Sequence, residues 1–458
     1  MNTDPKRPSP GAVKRALLEE AESLIDEMLE WQQHHPDSDF DGMETQVQEL
    51  RRRFGQKLVE RLLELQEQRR PAAPPVCPDC QRPMRYKGMV GLTFESFLGV
   101  VEVARGYYYC RACQKGLCPL DGQLHLAEHW SGQVARAVTW LNGQTQTYGE
   151  SVAIVAELTD ARISKSSSWR VVQTYGARIK AELAREEERL KAQAREWSTP
   201  GGPPAPHARM GVALDGGLVC LRGEGWKEFK AGCVFDVAPR RQRDPRTGDV
   251  ESYGHAVNLS YVAHLGEPGP LGWQVWTEAH RRGWRAAPAG QVVGDGAAWV
   301  WGIRDDHFPD TETVVDWYHA TEHLGKAKQR LFAAETAAGT RWYNELELAL
   351  YQGHADRVAQ RITQAAQALP EPAREEVLQQ AHYFTQQQHR MHYLALRNDG
   401  WVIGSGMIES GVKRFKARFV GAGMRWSRAG VENLLPVRAA VLSGEQRFAE
   451  LWQRAYAA

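Results

Sequence analysis

Three acidic residues stand in contexts suited to phosphoryl chemistry. Val212-Ala-Leu-Asp215-Gly-Gly sets an aspartate where an apolar strand ends, and Val292-Val-Gly-Asp295-Gly-Ala repeats the arrangement 80 residues later. Gly404-Ser-Gly-Met-Ile-Glu409-Ser-Gly puts a glutamate in the first or second turn of a basic helix. Each context has an ordinary reading as well. A strand followed by Asp-Gly is a common turn, and a glutamate early in a helix suits the helix dipole. In combination on one α/β domain they form a set of hard oxygen ligands. Cutting a phosphodiester requires charge to be neutralised on the attacking and leaving oxygens, which two Mg²⁺ (or Mn²⁺) ions about 3.5–4 Å apart accomplish. Competing motifs are absent: there is no GxxxxGK[ST] loop for nucleotide phosphates and no HExxH for a catalytic zinc.

The glutamate's own helix carries cations. Ile408, Val412, Phe415 and Phe419 make one apolar stripe, and Glu409, Lys413 and Lys416 follow the neighbouring face. Glu409 and Lys413 also have the spacing of a simple i,i+4 ion pair, worth about 0.2–0.5 kcal/mol. Arg414, Arg418, Arg425, Arg428 and Arg438 extend the positive charge, against Glu432 alone between Arg414 and Arg438. That excess predicts contacts with DNA phosphates from Lys413, Arg414, Lys416, Arg418 and Arg425. Trp426 either stacks on an exposed base or packs in the core, the latter being the commoner fate.

Four cysteines form a second chemical unit. Cys77-Pro-Asp-Cys80 and Cys110-Arg-Ala-Cys113 are CxxC knuckles separated by 29 residues, a pattern that supplies four thiolates to a structural Zn²⁺. A redox or merely buried pair is the alternative. The gap accommodates two or three strands, as in a zinc ribbon. Cys118 reads as a bystander, and Cys220 and Cys233 as small core residues in strands.

The elements that must position these groups are visible in the periodicity. Residues 12–68 read as helical, with Leu58, Leu62 and Leu65 at helical spacing, ended by Pro71, Pro74 and Pro75. In the cysteine segment, 76–120, Val100–Val103 and Tyr107–Tyr109 read as short strands. Residues 130–197 turn helical again. Within them Ser151–Leu158, a turn over Thr159–Ser164 and a helix over Lys165–Ile179 form a possible helix-turn-helix, with Ser164 as N-cap. Lys165 and Arg170, with Ser166, Ser167 and Ser168, would then meet DNA; an ordinary helical hairpin is the alternative. A linker rich in proline and glycine follows at 198–206. Beyond it, strands are expected at Gly211–Leu214, Gly232–Phe235, Val257–Val262, Gln291–Val293 and Thr313–Val315, within a domain over 207–445. A helical stretch, about 322–396, interrupts that domain.

Bulk properties set limits without choosing a function. The chain has 458 residues, 42% apolar and 25% charged, with a formal net charge of +1, so a nucleic-acid partner must be argued from local charge. The N-terminal residues have no apolar run suited to secretion, and no stretch is long and apolar enough for a membrane span. Clustered cysteines suit a reducing cytoplasm.

Taken together, the three acid contexts resemble the DDE transposases, whose core is RNase-H-like. In that family the first aspartate follows the first strand, the second follows the fourth, and the glutamate begins a late helix. The match falls on Asp215, Asp295 and Glu409. Val314-Val-Asp316-Trp-Tyr-His319 is similar to the Cys/Asp-x-x-His signature of the Mutator-like group, which also carries a helical insertion before the glutamate. Lys416 occupies the place of the family's basic residue seven positions after the glutamate. The cysteine module and the phrase Asp316-Trp-Tyr-His-Ala-Thr-Glu-His323-Leu resemble bacterial insertion-sequence transposases of the ISKra type. The resemblance spans Cys77 to Ser443 and is closest over Asp295–His323 and Gly404–Gly430.

It implies an RNase-H-like mixed sheet with an all-helical insertion, preceded by helical and zinc-ribbon-like modules. It further implies two Mg²⁺ ions on the triad and His319 beside the metal site near the scissile phosphate, supported by His323. A histidine after a buried strand is also often a plain core residue. Double-stranded DNA would be the partner, a homodimer or higher oligomer the active form, and the nucleoid in the cytoplasm the location. A nuclease that cuts without joining and a non-catalytic zinc-ribbon regulator are the other readings; the regulator would be expected to have lost a carboxylate.

Overall fold

The computed structural model describes residues 8–125, 129–197, 209–243, 248, 250–332 and 335–457. The expected linker at 198–206 lies outside them. The chain divides into two compact units, Met1–Val172 and Gln173–Ala458.

In the first unit the N-terminal helical stretch is two helices, α1 (Pro10–His34) and α2 (Phe40–Glu64). The interruption has a local cause. Pro36 cannot continue a helix, and Asp39 restarts one by accepting the Gly42 amide on its side chain. Ser9 caps α1 in the same way, with Pro10 in the first turn. β1 (Arg85–Ser96) and β2 (Gly99–Cys110) form an antiparallel hairpin, and β3 (Lys115–Leu117) adds to β2. The two short strands expected at Val100–Val103 and Tyr107–Tyr109 are parts of the single strand β2. Leu63, Leu92, Phe94, Val101, Val103 and Leu120 close a core between α2, the hairpin and α3 (Pro119–Leu124).

Three helices complete the passage to the second unit: α4 (Gly132–Gln144), α5 (Tyr148–Leu158) and α6 (Lys165–Ala194). Thr147 caps α5. Ser164 does cap α6, its Oγ accepting the Ser167 amide at 3.1 Å. α6 runs well beyond Ile179, and in that extension its buried positions are Glu182 and Glu186, the latter paired with Arg447.

That unit is built on a five-stranded mixed sheet of β4 (Arg209–Leu221), β5 (Gly225–Arg243), β6 (Val250–Leu265), β7 (Ala289–Gly294) and β8 (Glu312–Val315). The order is β6-β5-β4-β7-β8. β4, β5 and β6 are antiparallel neighbours, and β7 and β8 run parallel to β4. Two helices interrupt the parallel half, α7 (Pro268–Arg281) before β7 and α8 (Ala298–His307) before β8. All five expected strands are present, β5 and β6 much longer than their apolar centres announced.

After β8 come α9 (Trp317–Leu331), α10 (Ala337–Tyr351), α11 (Ala355–Ala366), α12 (Ala373–Gln387) and α13 (Tyr393–Asn398), so the helical stretch begins slightly before its expected start. α14 (Gly406–Phe419), α15 (Arg428–Leu442) and α16 (Glu445–Ala457) end the unit. The basic segment thus splits at Gly421–Gly423, where Gly423 takes φ +71°, a conformation glycine adopts without strain.

The pleat decides which side chains face which helix. Phe229 on β5 packs against Phe415 and Phe419 of α14. On the alternate side, a Cβ at Gly232 would lie 2.4 Å from Val275 of α7. α14 and α7 therefore cover opposite faces. Asp215 pairs with Ala231 and Gly217 with Phe229, which puts Asp215 on the α14 side.

Candidate active site and cysteine centre

Asp215 is not at a strand end: β4 continues through it to Leu221. Gly216 and Gly217 stay extended and paired with β5, and at Gly217 the lack of a side chain leaves room for Phe229 and Lys416. Ala213 pairs with Val293 across the parallel β4–β7 junction; Asp215 lies two residues further along β4, and Asp295 two residues beyond Val293, just past the end of β7. Burial raises the Asp215 carboxyl above its ordinary range; the Gly216 N–H, at 2.6 Å, opposes this, and the charge of Asp295 adds to it.

Asp295 sits just beyond β7 and accepts the Ala297 amide at 2.9 Å. The helical stretch grips its loop from the other side. Tyr383 Oη on α12 donates to the Asp295 carbonyl at 2.9 Å, and Gln387 Nε2 donates to the Gly296 carbonyl at 3.1 Å. His323 stacks on Tyr383 with ring centroids 3.7 Å apart and bonds Gln380 at 2.7 Å, which makes it a support for α12.

Asp316 joins the remaining pieces. It is fully buried, caps α9, and takes the His319 amide at 2.9 Å and His319 Nδ1 at 3.0 Å on Oδ2. Its Oδ1 accepts the Ser405 amide at 2.6 Å, and Ser405 Oγ donates to Glu409 Oε1 at 2.8 Å. Asp316, His319 and Glu409 thereby offer ligand atoms within 4.8 Å of one another. Asp215, Asp295 and Glu409 are not themselves gathered that closely among the described residues. The hydrogen bond to Asp316 raises the His319 imidazole to about 9, with Asp295 and Asp215 contributing through their charge. His319 is therefore a cation facing the aspartates, and its engaged Nδ1 leaves Nε2 as the nitrogen for other work. Asp316 entered the sequence reading only as part of a motif. Its isolated position after β8 gave no sign that it ties His319 to the start of α14.

α14 presents its expected stripe inward: Ile408, Val412, Phe415 and Phe419 are buried. Lys413, Arg414 and Lys416 are exposed, as is Arg425 beyond the helix. Lys416 is close enough to Asp215 to favour its charged form. Arg418, expected at the DNA-facing surface, is buried instead. It is 1% exposed, with its guanidinium 5.2 Å from the centre of the Trp426 ring, so it packs inside and reaches no surface phosphate. Trp426 is core too, donating to the Phe419 carbonyl at 3.0 Å. Arg438 is also buried, which lowers its guanidinium to about 10.

No family model matches the chain, and no curated protein matches it.

In the first unit the four knuckle cysteines come together, with ligand atoms within 4.8 Å of one another and Cys80 Sγ 3.6 Å from Cys110 Sγ. A tetrahedral zinc with bonds of about 2.3 Å sets its sulfurs roughly 3.8 Å apart, so the donor set fits. Gln81 and Gln114, each directly after the second cysteine of a knuckle, share a left-handed φ of 57° and 54°. The Cys113 amide holds the Cys110 thiol down to about 7, whereas hydrogen bonding with Cys80 raises Cys113 to about 12. Four thiols this close cannot all ionise without a cation. Cys118 and Cys233 are buried and Cys220 is half-buried, all apart from this cluster.

At the head of α6, Lys165, Ser166 and Arg170 are exposed. Ser168 is not: it is fully buried and accepts Asn142 Nδ2 of α4 at 2.9 Å. Among the described residues no helix is long and apolar enough to cross a membrane.

Proposed function

We propose that this protein is a metal-dependent DNA transposase with an RNase-H-like core, cutting phosphodiesters at element ends and joining the freed strand to a target. One observation carries the reading. Asp215 on the first strand and Asp295 just past the end of the fourth, neighbours in a mixed sheet, are close enough to interact through charge, and α14 carries Glu409 in its first turn and continues in exposed cations.

Asp215, Asp295 and Glu409 are the residues that would hold Mg²⁺ or Mn²⁺, and the ions would neutralise charge on the attacking and leaving oxygens. The protein's own groups do the rest. His319, kept protonated by Asp316, directs Nε2 to a phosphate oxygen. Lys416 holds positive charge beside Asp215, and Lys413, Arg414 and Arg425 track the DNA backbone. Ser405 and Asp316 fix the approach of Glu409 to the aspartates. The cysteine centre, bound to zinc, serves the first unit as a structural staple, and Lys165 and Arg170 at the head of α6 meet DNA. Pairing two element ends requires at least two copies of the chain.

The test is incubation of the full chain and Mn²⁺ with DNA carrying the ends of its own element, followed by separation of products. Joined strand-transfer products bear out the transposase. Cleavage without joining would reassign it as a nuclease, and tight binding without either as a regulator.

A further inference from the structure

β4 stops pairing with β5 at Met210–Asp236, whereas β5 and β6 remain paired out to Arg243–Val250. Residues 237–243 and 250–257 therefore extend past β4 as a two-stranded ribbon, with Arg240, Arg241 and Arg243 exposed along it. An isolated ribbon is marginal in water, and this one is held at its base. Gly254 lies directly on the Gly400–Trp401 backbone, where a Cβ would come within 2.3 Å of the Gly400 carbonyl. The Arg397 guanidinium is 3.4 Å from the centre of the Tyr253 ring and 5.6 Å from that of Tyr351.

Between this base and the start of α9 is a cleft of about 730 Å³. Tyr253 and His255 of the ribbon line one side; Trp317, Tyr318 and Gly404 line the other. The cleft adjoins the acid cluster directly. A Cβ on Gly404 would lie 3.3 Å from the Tyr318 ring and 3.8 Å from Asp316 Oδ1, and Ser410, the residue after Glu409, is part of the wall. Tyr318 is 64% exposed, an aromatic face held at the mouth of a site. Arg240 lies outward along the ribbon, donating to His255 Nε2 at 3.3 Å.

We infer that this cleft holds an unpaired nucleotide of the DNA strand beside the cleaved phosphate, its base on Tyr318 and its backbone on the ribbon arginines. Aromatic faces receive any base, but in a duplex those faces are covered by neighbouring pairs, so the occupant must be splayed out of the stack. The arginines complement a phosphate chain leaving the cleft. The inference rests on the DNA-cutting reading of the adjoining acids.

The experiment measures anisotropy of a labelled blunt duplex and of the same duplex with a short thymidine fork, in Ca²⁺ to prevent cutting. The full chain is compared with Tyr318→Ala and Tyr318→Phe. Wild type should bind the forked DNA more tightly. Tyr318→Ala should lose about tenfold on the fork and nothing on the blunt duplex, and Tyr318→Phe should keep the preference. Equal binding of both DNAs by wild type, or equal loss on both in Tyr318→Ala, would overturn the cleft assignment and leave the DNA-cutting reading standing. Failure of wild type to bind either DNA would overturn both.

Discussion

One carboxylate oxygen, Asp316 Oδ2, accepts both the main-chain N–H of His319, at 2.9 Å, and its Nδ1, at 3.0 Å. The backbone bond fixes where α9 starts and the side-chain bond fixes how the imidazole points, so helix position and ring orientation are set together. Through Oδ1 the same group fixes the Ser405 amide, and with it the first turn of α14.

Asp316→Asn retains the shape and removes the charge. The His319 pKa, followed by NMR in metal-free protein, should fall from about 9 toward the ordinary value near 6.5. Metal-dependent cleavage should fall roughly 10- to 100-fold, as expected when a supporting group is lost. An unchanged titration would show that Asp316 does not govern the ring.

Tyr383→Phe deletes one hydroxyl, whose partner is the Asp295 carbonyl. The expected cost in stability is about 1 kcal/mol, measured by urea unfolding. Cleavage should suffer more than that loss implies, because the loop carrying Asp295 is freed. Equal activity at saturating metal would mean that α12 is only packing.

Zinc should copurify at one ion per chain. Cobalt substitution should give the absorption of a tetrahedral thiolate site, and Cys77→Ser or Cys110→Ser should abolish it. Unfolding of the first unit by a chelator is expected, since metal binding supplies folding energy. A chain that folds equally well and holds no zinc would exclude the staple.

His280 is half-buried between Trp197 and Trp276, and its desolvation there lowers its imidazole to about 4. A folded-state pKa below the unfolded value near 6.5 gives stability that is fully present above pH 6.5. That stability is lost as pH falls from there through 4, up to about 3 kcal/mol in total. Urea unfolding at pH 7.5 and pH 4.5 should therefore show a smaller loss in His280→Gln than in wild type. Identical losses would mean the ring is not held neutral.

Arg447 lies between Glu186, at 2.6 Å, and Glu278, at 3.2 Å, all three buried. Burial alone would raise both carboxyls, yet Arg447 and neighbouring arginines bring them below the ordinary range. Arg447→Met leaves Glu278 with Arg281, at 2.6 Å, and Glu186 with Arg454, at 3.2 Å, so it should cost stability but less than the about 3–5 kcal/mol of a fully unpaired buried charge. Thermal unfolding close to wild type would contradict this account of the network.

The parts legible in the sequence were those governed by local rules. Alternating and continuous apolar runs gave the five strands of the mixed sheet, and CxxC spacing gave the cysteine cluster. The stripe from Ile408 to Phe419 gave the buried face of α14. What stayed hidden depends on partners distant in the chain. The β5–β6 ribbon is polar and has no apolar period to announce it. Arg418 reads as a surface cation until Trp426 folds over it. Asp316 becomes a hub only because Ser405, 89 residues later, presents an amide to it.

The most direct test of the central claim is Mn²⁺ binding, followed by electron paramagnetic resonance and paired with cleavage of element-end DNA. Wild type is compared with Asp215→Asn, Asp295→Asn and Glu409→Gln. The account predicts two bound ions in wild type, weakened binding in each variant, and cleavage lost in all three while DNA binding persists. Undiminished Mn²⁺ binding and cleavage in the three variants would contradict it.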